Sequence, residues 1–170
     1  GRIECHLKDE SKIHASTVLE TVDRLQRQSS DFTVTTDIIV GFPGESESDF
    51  QETLDVVSQV QFAKVHVFPF SPRKRTRAAL YPNRISEQVL RQRKQAILQL
   101  IEREAFALRS RFIGSRMQVL LENEEKEGMI GGYTSNFLRI FLPKEGFQPN
   151  DLIEVELVEN TPMGFLGKAR

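Results

Sequence analysis

The hydrophobic period of this chain changes once, at Gly114, and that change limits what the chain can fold into. Before it, Leu90, Ile97, Ile101, Ala105, Leu108 and Phe112 recur at helical spacing as far as Ile113, the stripe of a long amphipathic helix that a glycine then stops. After it, Met117, Val119 and Leu121 recur at every second position, as do Ile153, Val155 and Leu157 around Glu154 and Glu156. Turn-forming clusters at 123–128, 143–150 and 159–164 separate these runs. A period of about 3.6 and a period of about 2 cannot share one element. Residues 114–170 therefore read as four or five short strands of a small antiparallel barrel of the oligonucleotide-binding type. Residues 1–113 read as a separate domain.

The earlier domain mixes both kinds of signal. Residues 15–28 place Val18, Val22 and Leu25 on one helical face, and Ser29, Ser30 and Asp31 end it. Residues 32–40 (FTVTTDIIV) are β-branched and continuous, the pattern of a strand buried on both faces. Gly41-Phe42-Pro43-Gly44 turns the chain, and Ser46 with Glu47 and Asp49 opens a helix running to about Val60, with cap and charge matched to the helix dipole. Phe50, Leu54 and Val57 form its apolar side, and residues 64–70 (KVHVFPF) make the next strand. Strand, helix and strand in this order form a βαβ unit with a parallel sheet. A polar stretch, 71–84, precedes the long helix, which Ser86 caps and an Ile85–Leu90 contact staples.

Composition narrows the function. No apolar run approaches the roughly eighteen residues of a membrane helix, and the N-terminus has no signal-peptide pattern. One cysteine in 170 residues excludes an internal disulfide and points to a reducing, cytoplasmic setting. The net charge of −1 conceals a division: residues 71–116 hold twelve Lys or Arg against three Glu, a local charge of +9, leaving −10 for the rest. Such a band is either a polyanion-binding surface or a solvated arginine-rich helix face. Cys5, His6 and His14 do not form a metal-site pattern, and no residue reads as a catalytic acid, base or nucleophile. Asp37, inside the strand pattern, reads as a structural carboxylate, and His66 as a packed or rim histidine.

The segment with chemical potential is Thr36-Asp37-Ile38-Ile39-Val40-Gly41-Phe42-Pro43-Gly44-Glu45. Two glycines just past a parallel strand either let backbone amides approach a ligand or serve the geometry of a tight turn. TDIIVGFPGE followed by SDFQETL is similar to the fifth-strand segment of the radical S-adenosylmethionine methylthiotransferases. FAKVHVFPFSPRKRT resembles their sixth strand and the loop after it, of the form S-x-R-x-G-T-x-A. GSRMQVLLE, GGYTSNFLRI and GFLGKAR resemble the family's RNA-binding barrel, the TRAM domain. The resemblance covers about residues 30–170 with its motifs in order, and FAKVHVFPFSPR looks most like the branch acting on threonylcarbamoyladenosine beside the tRNA anticodon.

The resemblance implies a fold and a function. The fold is the C-terminal part of a partial (β/α)6 barrel followed by a TRAM barrel. The function is 2-methylthiolation of tRNA at a modified adenosine by the intact enzyme, using S-adenosylmethionine and a four-iron, four-sulfur cluster. Gly41, Phe42, Pro43 and Gly44 would border S-adenosylmethionine. Arg73, Arg75, Tyr133, Asn136 and Arg139 would meet the RNA, the aromatic by stacking and the arginines at phosphate. Phe137 is offered for RNA contact too, with packing within its strand the stronger expectation, while Tyr133 either packs or stacks. Two departures stand out. The family's cluster needs three cysteines in a C-x3-C-x2-C loop, so the chain is expected to be a part of the enzyme and inactive alone. Arg75 stands where the family usually has glycine, which either alters the loop or adds a phosphate contact. Two other functions fit less of this pattern: an RNA-binding module without catalysis, and a methylthiotransferase acting on a ribosomal protein.

Overall fold

A computed structural model describes residues 15–29, 31–124 and 128–169, without the side chains of Asn123 and Glu124. It falls into two compact units, the first formed by residues 15–29 with Val34–Glu104, the second by Asp31–Thr33 with the described residues from Ala105 onward.

The first unit is an α/β layer. Helix α1 (Ala15–Gln28) precedes strand β1 (Thr35–Val40), helix α2 (Glu47–Val60) and strand β2 (Lys64–Pro69), and β1 and β2 pair in parallel. The α2 start is closed by a capping box: the Ser46 side chain accepts from the Asp49 amide while the Asp49 carboxylate accepts from the Ser46 amide, so two otherwise orphaned donors are satisfied. Gln61, in left-handed conformation, ends the helix. A short 3-10 turn (Arg77–Leu80) leads to helix α3 (Glu87–Ser110). Ser86 caps α3 by accepting from the Val89 amide at 3.4 Å.

Val18 and Val22 of α1, Val40 of β1, Phe50, Val57 and Val60 of α2, Phe62 and Ile97 of α3 form one core, with Ile38, Val65, Val67 and Leu90 packed against it. All these strand residues lie on one face. The other carries Asp37 and Ile39 opposite His66 and Phe68, and there Ile39 and Phe68 are exposed. The two-sided burial expected for residues 32–40 is therefore met on one side only. The helices contribute their buried residues to this one face, and among the described residues Ile39 and Phe68 on the other stay exposed.

The second unit is a closed barrel with strand order β3-β4-β5-β7-β6. Its strands are β3 (Arg116–Glu124), β4 (Met129–Thr134), β5 (Arg139–Pro143), β6 (Leu152–Thr161) and β7 (Gly164–Ala169). All pairings are antiparallel except β5 with β7, and β3 closes the ring on β6. This is the arrangement of an oligonucleotide-binding-type barrel. Alternation supplies the interior: Val119, Leu121, Ile130, Ile140, Leu142, Val155, Leu157 and Phe165 are buried. The last turn of α3 belongs to this unit, and Leu108 and Phe112 are buried. The helix ends at Ser110, four residues before Gly114, through tightened bonds such as the Phe112 amide to the Arg109 carbonyl at 2.9 Å. Ile113 is exposed.

Candidate functional site

The glycine turn after β1 is built from residues far apart in sequence. Gly41 and Gly44 have φ of 77° and 85°, which L side chains adopt only with strain. At Gly41 a Cβ would also lie 2.4 Å from the Leu90 Cδ1. The Gly41 amide donates to the Glu45 carboxylate at 2.9 Å, the Gly44 amide to the Asn83 carbonyl at 3.0 Å, and the Glu45 amide to the Phe42 carbonyl at 2.9 Å. The Phe42 ring meets Phe70 and Tyr81 edge-on, with centroids 5.1 and 6.0 Å away.

Arg93 of α3 fixes this turn. Its guanidinium pairs with the Glu45 carboxylate, both side chains being 7% exposed. It also donates to the Glu45 carbonyl at 3.2 Å and reaches Glu47 at 3.0 Å. Phe50 lies under the cation, 5.2 Å from its centroid. A carboxylate buried this deeply needs such a partner. Among the described residues the Arg93 Nε has no hydrogen-bond partner. The three turn amides named above are thus engaged by the protein itself. Gly41, Phe42 and Pro43 are buried, while Gly44 is exposed with open space where a side chain would stand. His66 is exposed, not packed, and stacks beside Phe68 with centroids 6.4 Å apart.

The basic segment divides in the structure. Arg93 is buried in the ion pair just described. Arg103 bonds Glu104, and Arg109 donates to the Asn160 side chain at 3.0 Å and the Thr161 carbonyl at 3.2 Å. Burial lowers the Arg109 pKa. Burial alone would raise the Glu104 carboxyl, but hydrogen bonds from Arg103, Gln61 and Ser58 outweigh it and hold the group below its ordinary value. Arg73, Lys74, Arg75 and Arg77, by contrast, are all exposed. The Thr76 amide donates to the Arg73 carbonyl at 3.2 Å and Arg75 has φ of 72°, the φ pattern of a type II turn, whose third residue is usually glycine. Arg75 thus keeps the turn that glycine would favour, at a conformational cost.

In the barrel, Tyr133 of β4 faces Arg139 of β5 in register, and Leu120 of β3 lies on the other side of Tyr133. Tyr133 and Arg139 are half-buried, and the Arg139 guanidinium lies 4.8 Å over the Phe141 ring. Asn136 sits in the turn between these strands with its amide engaged at both ends: Oδ1 accepts from the Thr134 hydroxyl, and Nδ2 donates to the Asp31 carbonyl at 2.9 Å. Its own carbonyl accepts from the Thr33 hydroxyl at 2.6 Å. Asn136 therefore shapes the turn. Phe137 does not pack as expected: its side chain is 62% exposed and its φ is 63°.

Among the described residues no group of three or more His, Cys, Asp or Glu side chains could hold a metal. Cys5, His6 and His14 lie outside the described residues. With a single cysteine in the sequence, the chain does not supply the three thiolates of a C-x3-C-x2-C cluster loop. No helix among the described residues is long and apolar enough to cross a membrane.

No protein-family model matches the chain. Individual relatives do. It is 37% identical over 128 residues to the threonylcarbamoyladenosine tRNA methylthiotransferase MtaB of Thermotoga maritima, covering 75% of this chain and 30% of that protein. It is 35% identical over 165 residues to the tRNA-2-methylthio-N(6)-dimethylallyladenosine synthase of Zymomonas mobilis, covering 95% and 37%. The synthase of the same name from Caldicellulosiruptor saccharolyticus is 40% identical over 108 residues, covering 64% and 23%. The chain spans about a third of the length of the curated relatives it matches. Over much of its length, this chain is homologous to tRNA methylthiotransferases.

Proposed function

We propose that the chain is the C-terminal part of a radical S-adenosylmethionine enzyme that places a methylthio group on C2 of threonylcarbamoyladenosine next to the tRNA anticodon. The observation that carries this reading is the homology to tRNA methylthiotransferases across residues that form both an α/β unit and an oligonucleotide-binding-type barrel. The choice of nucleoside rests on FAKVHVFPFSPR. The first unit is read as the end of a partial (β/α)6 barrel, in which the helix-free face with Asp37, Ile39, His66 and Phe68 would line the interior. The second is read as the TRAM domain, and the setting as cytoplasmic.

Gly41, Phe42, Pro43 and Gly44 border the cofactor through the shape of their turn. The amides of Gly41 and Gly44 are already bonded, so the donor set for S-adenosylmethionine belongs elsewhere in the intact enzyme. The cluster ligands also lie elsewhere, and no chemical step is assigned to residues of this chain. The cofactor and cluster would supply the radical chemistry, and the chain would supply position and RNA contact. Arg73 and Arg75 neutralise phosphate, Arg139 does the same beside Tyr133, Tyr133 stacks, and Asn136 holds the turn they border.

Anaerobic iron and sulfide reconstitution tests the reading. The 170-residue chain should assemble no stoichiometric cluster and cleave no S-adenosylmethionine. A longer form that includes a C-x3-C-x2-C loop should do both and methylthiolate tRNA. Cluster assembly by the short chain, or a long form active on a ribosomal protein and silent on tRNA, would overturn it.

A further inference from the structure

We infer that Phe137 is a base-stacking residue, held out of the barrel by the β4–β5 turn to meet an unpaired base of single-stranded RNA. The inference rests on the RNA-binding reading above and adds to it a residue and a mode of contact.

Among the described residues, five other than glycine have positive φ: Gln61, Arg75, Asn83, Phe137 and Asn150. The two asparagines tolerate this region, and Gln61 caps α2. Phe137 is different, because its ring is bulky and gains little from the fold. The Thr134 amide donates to the Leu138 carbonyl at 3.0 Å and the Phe137 amide to the Thr134 carbonyl at 3.0 Å. That leaves a three-residue loop whose last position is left-handed, a slot usually filled by glycine. A non-glycine residue there carries a conformational cost. Burying a phenylalanine would more than offset that cost, but this ring remains 62% exposed. The fold therefore carries the conformational cost without the compensating burial.

The turn is also preorganised. The Thr134 hydroxyl accepts from the Leu138 amide at 2.9 Å while bonding the Asn136 side chain, and Asn136 is tied to Asp31 and Thr33. A ring presented from such a turn loses little freedom on binding. Its surroundings favour RNA over protein. Ser135 is exposed, Asn136 is polar, and Arg139 follows two residues on, so the turn that presents the ring is itself polar, unlike the apolar centre of a protein interface. An exposed aromatic with a cation two residues on suits a splayed-out base and its phosphate.

The test uses the 170-residue chain with fluorescently labelled anticodon stem-loop RNA, comparing wild type, Phe137→Gly and Phe137→Tyr. Phe137→Gly should raise the thermal midpoint, because the strained φ is relieved, and should weaken RNA binding by about fivefold to a hundredfold. Its dependence on salt should be unchanged, since the ring neutralises no phosphate. Phe137→Tyr should keep the affinity. A glycine variant that is stabilised but binds RNA as wild type does would overturn the inference and leave the RNA reading standing, with a protein segment as the ring's partner. A glycine variant that is destabilised would show the ring to be structural, and this too would overturn it. If wild type itself bound no RNA, the RNA reading and the inference would both fail.

Discussion

In the barrel every strand has two hydrogen-bonded neighbours, and its interior runs from Val119 to Phe165 without an exposed edge. Among the described residues of the α/β unit β1 and β2 have only each other, and their helix-free face leaves Ile39 and Phe68 in contact with water. The difference extends to polar groups. The glycine turn engages its amides and the Glu45 carboxylate internally, whereas the β4–β5 turn uses its hydrogen bonds to hold an aromatic ring outward. One unit resembles a piece of a larger sheet with its turn already locked. The other is a self-contained fold whose distinctive side chain faces solvent. A parallel pair with one uncovered face is marginal by itself, so stability should be unevenly distributed between the two.

The largest effect should come from the buried ion pair. Arg93→Met leaves Glu45 buried without its cation and should cost about 3–5 kcal/mol in urea unfolding. The loss should be confined to the α/β unit, with barrel amide resonances unmoved. A loss shared by both units would break the comparison.

Next in size is the end of α3. A fragment of residues 105–170 should fold and be more stable than one of residues 115–170 by about 3 kcal/mol or more. The longer one keeps Leu108 and Phe112 buried, at about 1.5–3 kcal/mol each, and the Asn160 bonds to Phe106 and Ser110. Circular dichroism melts of the two would read this directly, and equal stabilities would contradict it.

Arg75→Gly should be a smaller change of opposite sign, stabilising by up to about 1 kcal/mol because the type II turn regains its preferred residue. The same variant should bind RNA less tightly at low salt. Smallest is a pH effect at Glu104. Its folded pKa lies below the ordinary carboxylate value, so its contribution is fully present above that value and is lost as pH falls through the folded one. Glu104→Gln should lack this component, which thermal midpoints between neutral and acid pH would show as a shallower decline.

The features legible in the sequence were those with local causes. The Ser46 capping box, the Gly41–Gly44 turn and the alternation of Met117, Val119 and Leu121 each declare themselves within a few residues. What was hidden depends on residues distant in sequence. Arg93 reads as one arginine among many in a basic helix, and only the fold brings it to Glu45, forty-eight positions away. Asn136 reads as a side chain free to recognise RNA, yet its Nδ2 donates to the Asp31 carbonyl from across the chain. Phe137 reads as strand packing because β4 and β5 are apolar on alternate positions, and the left-handed turn that points it outward has no glycine to announce it. The one-sided burial of β1 was equally hidden, since a β-branched run does not record how many layers will cover it.

The central claim is that this chain contacts tRNA through exposed cations and an aromatic face, and binding to an anticodon stem-loop as a function of salt tests it most directly. The affinity should fall as salt rises, because neutralised phosphates release their counterions. Arg73→Ala and Arg139→Ala should each weaken binding and flatten the salt slope by roughly one unit for every phosphate no longer neutralised. Tyr133→Ala should instead cost about 1–3 kcal/mol with the slope nearly unchanged. Binding that is indifferent to salt and to all three substitutions would contradict the account.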